Sequence, residues 1–334
     1  MDRKIATIGD VARVAGVSTA TVSRTLSKPS VVSKATREAV LAAVEETGYR
    51  PNTMASNLRR QRTGSVIALV PNLANPFFSQ ILAGLSSVLT VEGFGLLVAD
   101  TQAGTDPDER LAHYLTSGMA DGLILFDGGL SAEVLSRRAR PPVLMACEWM
   151  AGDLPSLTVD NADGARMAVE HLVAQGHRRI GHIAGPEGNV LSITRLEGFL
   201  EAMADAGLEV APDAIFEGDF SMDSGARAAR EWLRRDAAPT ALFCASDEMA
   251  VGFVGAVQRA GKVVPRDVSV IGFDNIEVVQ HLSPALTTIR QPRHRIGARA
   301  AEMLLDMIAA GSLSGPSERI ALEFIERDSV APPA

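Results

Sequence analysis

The sequence predicts an all-α headpiece over residues 1–50 and an α/β core of two doubly wound parallel-sheet subdomains over residues 64–334, joined by a hinge over residues 51–63. Three observations carry this expectation. Two capped helical stretches flank a glycine turn near the start; apolar strands alternate with amphipathic helices from Ser65 onward; and charge is segregated along the chain. Residues 1–62 hold eleven Lys and Arg against five Asp and Glu, net +6, in a chain of net charge −8, which leaves −14 on the rest. A basic head on an acidic body is the pattern of a sequence-specific DNA binder whose larger part has another task.

In the headpiece, Thr7 is placed to cap a helix from about Ile8 to Ala15, with Val11, Ala12 and Ala15 inward and Gly16 at its end. Ser18 caps the next helix, in which Val22 and Leu26 face a core while Thr19, Ala20, Ser23 and Arg24 share the opposite arc. Polar residues on such an arc reach base edges and phosphates, and an Arg can bond guanine with two donors. By spacing alone the pair also fits an ordinary helical hairpin. Ser33 caps a third helix to about Thr47, expected to bury Val40, Leu41 and Val44 and to end at Gly48. Arg37, Tyr49 and Arg50 are placed for phosphate contacts.

Pro51 to Arg60 has no apolar face to bury, and a helix of about eight residues is marginal alone in water. It folds only when paired or docked, and Leu58 beside Arg59 and Arg60 suits a minor-groove wedge, or else belongs to a plain linker. The core then reads as strands near Val66–Val70, Gly95–Ala99, Gly122–Phe126, Val143–Ala146, Ile180–Ala184, Ala214–Glu217, Ala241–Ser246 and Val268–Phe273. Helices are expected between them, among them Pro76–Val91, Asp106–Ser117, Ala162–Gln175, Ile193–Ala206, Ser224–Arg234 and Glu248–Ala260. Ligands of such sheets sit beyond the carboxyl ends of the strands. The loops there, at Pro71–Phe78, Cys147–Trp149, Gly185–Asn189, Asp219-Phe220 and Asp274-Asn275, mix aromatics, carboxylates and amides, which suits a small polar ring compound.

Enzyme chemistry finds little footing. No phosphate-binding loop or nucleophile elbow is present, and Gly93-Phe94-Gly95 leads into a strand rather than a helix. His177 and His182 have no third ligand at metal spacing, so no metal and no cofactor is expected, and Asp106, Asp108 and Glu109 are read as first-turn carboxylates of a helix. Cys147 and Cys244 sit in apolar runs and are expected as buried free thiols. The start lacks an apolar leader and no membrane-length apolar run occurs, so the expectation is a cytoplasmic protein with no membrane partner. The remaining alternative is a cytoplasmic small-molecule-binding protein or enzyme built on the same core.

The sequence resembles the LacI/GalR family of bacterial transcription regulators over essentially its whole length. The matching landmarks are Thr7 to Asp10, Ser18 to Arg24, Gly48-Tyr49-Arg50-Pro51-Asn52, Ile271 to Asn275 and Leu286-Thr287-Thr288-Ile289. The resemblance implies a repressor that binds palindromic operator DNA as a homodimer and changes affinity with a small effector. It implies a periplasmic-binding-protein-like core with chain crossovers near 161, 291 and 323, hence an N-subdomain of about 64–161 and 292–323 and a C-subdomain of about 162–291 and 324–334. By position, Thr19, Ala20 and Arg24 look like base readers. Thr7, Thr21, Ser23, Ser33, Arg37 and Tyr49 match backbone contacts, and Asn52, Leu58 and Arg59 the hinge. Phe77, Phe78, Glu148, Asn189, Arg195, Phe220 and Asp274 match the effector pocket. The loops Asn75-Pro76-Phe77-Phe78-Ser79, Ala146-Cys147-Glu148-Trp149 and Gly218-Asp219-Phe220 are similar to those of cytidine-responsive members, which implies a nucleoside; a pentose or hexose suits the same chemistry. Cys147 departs from the amide of those members and the Asp of many others.

Overall fold

The computed structural model describes residues 6–49, 62–102, 106–136, 140–150 and 152–333. It divides into two compact units, Met1–Thr63 and Gly64–Ala334. In the first, helices α1 (Ile8–Ala15), α2 (Thr19–Ser27) and α3 (Lys34–Thr47) close on Val11, Ala12, Val22, Val40 and Ala43. Each start is fixed by a local cap. Thr7 and Asp10 bond reciprocally, Ser18 Oγ accepts from Thr21 N at 3.1 Å, and Ser33 Oγ accepts from Thr36 N at 3.3 Å. Gly16 and Gly48 end α1 and α3 at φ 64° and 65°, where a Cβ would be strained. One inward assignment is corrected: Leu41 is 51% exposed, because α3 turns the face of Val40, Ala43 and Val44 inward and Leu41 lies about 100° round from Val40.

The second unit holds two six-stranded sheets. The strands are β1 (Ser65–Val70), β2 (Gly95–Asp100), β3 (Gly122–Leu125), β4 (Val143–Ala146), β5 (Ser156–Val159), β6 (Ile180–Ile183), β7 (Ile215–Phe216), β8 (Ala241–Cys244), β9 (Ser269–Asp274), β10 (Thr287–Arg290), β11 (Glu318–Ile320) and β12 (Glu323–Ile325). Sheet 1 runs β11-β5-β4-β3-β1-β2 and is parallel throughout. Sheet 2 runs β12-β10-β9-β8-β6-β7 and is parallel except at β12, which joins β10 antiparallel. The chain passes between the sheets after β5, after β10 and between β11 and β12.

Helices cover both faces of each sheet, which is why the central strands are apolar runs and not alternating ones. Helices α4 (Phe77–Val91) and α10 (Arg293–Ala310) cover one face of sheet 1, and α5 (Pro107–Thr116) supplies Leu111 and Leu115 to the other. On sheet 2, α6 (Asn161–Ala174) and α7 (Val190–Asp205) bury one face, and α8 (Met222–Trp232) and α9 (Asp247–Arg259) the other. The sequence reading lacks β5, β10, β11 and β12, segments of three or four residues, two of them at sheet edges. Helix α7 starts three residues before the expected Ile193, because Asn189 Oδ1 accepts from Leu191 N and Ser192 N. The expected strand 214–217 shrinks to Ile215–Phe216 behind a short 3₁₀ turn at Pro212–Ala214.

Candidate functional site

The sequence-predicted site residues gather on two surfaces, one in each unit. On the headpiece, Thr19, Ala20, Ser23 and Arg24 lie exposed along one side of α2, while Val22 and Thr25 are buried on the other. Thr21 is half-buried, its hydroxyl 2.9 Å from Ser18 Oγ. Tyr49 packs its ring against the headpiece core, which leaves only part of it exposed. Thr7 and Ser33 are spent on caps, and Arg37 is half-exposed on α3. Asn52, Leu58 and Arg59, with Arg50, lie outside the described residues.

In the core, the carboxyl ends of both sheets border a cleft of ≈ 280 Å³. Phe77, Phe78 and Glu148 line it from the sheet-1 side, and Asn189, Arg195, Phe220 and Asp274 from the sheet-2 side. A larger and more open hollow of ≈ 620 Å³ lies against β5 and β11, with Trp149 as its single aromatic. Only the smaller cleft brings several aromatics and opposed charges together.

On one wall, Phe77 and Phe78 meet edge to face at 5.1 Å, and Phe78 meets Phe126 the same way at 5.8 Å. Glu148 accepts from Gly128 N at 2.7 Å and from Asn189 Nδ2 at 2.9 Å, and the second bond links the two sheets' sides of the cleft. Burial pushes the Glu148 carboxyl up, and the bonds from Asn189 and Gly128 hold it down.

The opposite wall is built on Arg195. Its Nε donates to Asn161 Oδ1 at 2.9 Å, its Nη1 donates to the Ala245 carbonyl at 2.5 Å, and its guanidinium sits 3.8 Å from the Phe273 ring centroid. Burial pulls this cation's pKa down and the carboxylates of Asp274 and Glu148 push it back. Asp274 Oδ1 accepts from Gln291 Nε2 at 2.8 Å. Behind it, the fully buried Asp247 accepts from Thr288 Oγ1 at 2.6 Å and Ile276 N at 2.8 Å. Burial raises both carboxyls; Asp274 raises Asp247 further, whereas Arg195 draws Asp274 back toward the charged form.

Among the described residues, the non-glycine positions with positive φ are Cys147 (67°), Phe220 (64°), Asp274 (118°) and Asn275 (54°). Three of them line the cleft, and each such backbone costs about 1–3 kcal/mol that the surrounding fold must offset. Strain gathered here fits side chains aimed for a ligand. The Cys147 thiol is pushed up by burial and by Glu148, so it lines the cleft as an uncharged group. Gly185 leaves the space that Phe220 needs, since a Cβ there would strike the ring.

The sequence reading missed Phe126, Ser246, Asp247, Glu248 and Gln291. Phe126 and Gln291 directly follow β3 and β10 and turn inward only once the sheets form, while Asp247 and Glu248 stand at a helix start, where carboxylates are common. His182, by contrast, is a packed residue, stacked between Phe199 and Phe243 with Nδ1 3.0 Å from the Phe243 carbonyl. Among the described residues no three His, Cys, Asp or Glu side chains converge as metal ligands, and no helix is long and apolar enough to cross a membrane.

Residues 7–52 match the family model of bacterial regulatory proteins, lacI family, and residues 169–330 match that of the periplasmic binding protein-like domain. The chain is 39% identical to the HTH-type transcriptional repressor CytR of Escherichia coli (strain K12) over 327 residues, 97% of this chain and 96% of that one. The lac repressor dimer bound to operator and the anti-inducer ONPF superposes with a TM-score of 0.86 at 31% identity, covering 98% and 100% of the two chains. The transcriptional regulator CelR in its cellobiose complex gives 0.74 at 33%, covering 97% and 99%.

Proposed function

The chain belongs to the lacI family of bacterial regulatory proteins, and from that premise we propose that it works in the cytoplasm as a homodimer on a palindromic operator, controlled by a nucleoside or sugar in the core cleft. It is a DNA-binding repressor whose operator affinity responds to a small effector. The observation that carries the effector reading is convergence: seven side chains from distant loops line one cleft. Phe77, Phe78 and Phe220 present aromatic faces for a ring, and Glu148, Asn189, Arg195 and Asp274 present polar groups for its hydroxyls and amides. The ≈ 280 Å³ of space suits one nucleoside or monosaccharide, and aromatic surface on both walls favours the nucleoside.

Asp274→Ala tests the cleft. It removes a carboxylate that Gln291 and Arg195 hold in place and leaves ligand donors unmatched, a loss of about 1–3 kcal/mol. Effector affinity should fall at least about tenfold while operator binding without effector persists. Calorimetry with a panel of nucleosides and sugars gives the first number; an unchanged affinity would count against the assignment.

On DNA, Thr19, Ala20 and Arg24 are the proposed base readers, with Thr7, Thr21, Ser23, Ser33, Arg37 and Tyr49 positioning the headpiece on the backbone. Arg24→Ala should weaken specific binding by about 1–3 kcal/mol and relax preference at one base pair of each half-site. Selection of operators from a randomised pool reads this directly, and a preference retained at every position would remove Arg24 from the list. Asn52, Leu58 and Arg59 are proposed to couple the two units. A helix of about eight residues is marginal alone in water, so pairing that depends on a partner copy and DNA is the proposed route from core to operator.

A further inference from the structure

We propose that Glu248 decides which effectors the cleft admits, accepting hydrogen bonds from an uncharged, hydroxyl- or amino-bearing compound and turning away the phosphorylated form of the same compound. The inference rests on the nucleoside-or-sugar reading of the cleft and narrows it to the unphosphorylated class.

The first observation is that Glu248 lines the cleft, half-buried, with no donor bonded to its carboxylate among the described residues. The other carboxylates there are engaged. Glu148 is held by Gly128 and Asn189, Asp274 by Gln291, Asp127 by Thr101 and Gly129, and Asp219 by Ser221 and Arg227. An acceptor that a bound ligand shuts off from water must be matched by donors from that ligand.

The second observation concerns anions. Arg195 is the cation among the cleft-lining residues, and it is committed to Asn161, the Ala245 carbonyl and the face of Phe273. A helix N-terminus is the usual alternative host for phosphate. Of those beside this cleft, α4, α7 and α8 spend first-turn N–H groups on Asn75, Asn189 and Ser221, and α9, at the Glu248 end, carries Asp247 and Glu248 in its first turn, so its partial positive charge is already answered. A phosphate brought to that end of the cleft would meet Glu248 and Asp274, and among the described residues the cations that act on Asp274, Arg195 and Arg293, are both committed to other acceptors. The two observations are independent, one about unmet acceptors and one about missing positive charge, and both select an uncharged ligand rich in donors.

Burial, and Asp274 beyond it, push the Glu248 carboxyl up to about 7, so the test is run near pH 8, where its charged form dominates. The full-length protein is titrated by calorimetry with cytidine, adenosine, ribose and glucose, and with the corresponding 5′- or 6-phosphates. The parent should bind at least one uncharged probe and prefer it to its phosphate by at least about thirtyfold. Glu248→Gln should shrink that ratio about tenfold or more by gaining affinity for the phosphate, and Glu248→Asp should restore most of the parent's discrimination. Thermal stability and effector-free operator binding should match the parent in both variants, since a merely structural role would leave the ratio alone. Equal affinity of the parent for a probe and its phosphate, or an unchanged ratio in Glu248→Gln, overturns the proposal while leaving the nucleoside-or-sugar reading in place. Failure of every probe to bind the parent overturns that reading, and the proposal with it.

Discussion

Arg195→Ala is expected to destabilise the core by about 3–5 kcal/mol and to abolish effector binding. The guanidinium is 2% exposed, so its bonds to Asn161 and the Ala245 carbonyl have no water to replace them. Truncation removes two donors, empties the space over the Phe273 ring, and leaves Asp274 and Glu148 without the cation that favours their charged forms. Asp274 already lies beside the buried Asp247, and with Arg195 gone Arg293 is left as the cation that opposes their mutual repulsion. Breaking one partner of a buried charged network costs far more than its intact contribution, because the remaining charges stay buried. Arg195→Lys keeps the charge but not two differently directed N–H edges, so it should recover only part of the loss. Urea unfolding followed by tryptophan fluorescence measures this, since Trp149 and Trp232 both lie in the core unit. A shift under about 1 kcal/mol would mean that the buried network is not held together by this residue.

That network also marks where the sequence stopped being readable. The headpiece could be read almost whole, because its signals are local: each cap pairs residues three apart, and Gly16 and Gly48 stand where α1 and α3 end. The slip at Leu41 came from treating neighbouring apolar residues as one face. The alternation of strand and helix was plain from Val66 to Phe273 except at β5, whose four residues alternate polar and apolar, since the other buried parallel strands are apolar runs. After Phe273 the chain leaves short edge strands and crosses between sheets. Only resemblance placed those crossings, because three or four residues of strand carry no period.

The cleft was legible as a set of loops and not as a set of bonds. That Phe77, Glu148 and Asp274 belong near one another followed from their places after strands and from family resemblance, whereas Arg195 was placed by resemblance alone. That Glu148 and Asn189 join across the cleft did not, for their 41-residue separation is closed only by the tertiary fold. Nor did the committed state of Arg195, which depends on a backbone carbonyl, Ala245, that every residue possesses. Burial has the same character: Asp247 and Glu248 are adjacent in one helical turn, yet one is enclosed and the other faces the cleft.

The packing of α4 on α10 supplies the second large effect, and its cause is equally invisible in the sequence. A Cβ added to Gly297 would fall inside the carbonyl oxygen of Ile81, and one added to Gly84 inside that of His294. The two helices therefore touch backbone to backbone through a reciprocal pair of glycines, with Ile81, Leu85, Ile296 and Ala300 closing around them. Two effects compete in Gly297→Ala. Helix propensity favours alanine by about 1 kcal/mol. Overpacking opposes it by about 1–3 kcal/mol or more, and the obstacle here is main chain, which cannot rotate aside. The main-chain obstacle puts overpacking at the upper end of its range, so it wins, and a net loss of about 2 kcal/mol is expected. The contrast is Gly255→Ala in α9, where a Cβ would meet only the mobile end of Arg259. There propensity acts alone, and stability should hold or rise by up to about 1 kcal/mol. The first change should also reach the cleft. Arg293, at the start of α10, donates to the carbonyls of Pro76, Phe77 and Asn275, so spreading the helices drags the Phe77 loop away from Asp274. Effector affinity should fall about tenfold or more in Gly297→Ala and stay at the parent value in Gly255→Ala. Paired urea melts and calorimetric titrations decide it, and equal stability of the Gly297→Ala protein and its parent would show that the helices can part without cost.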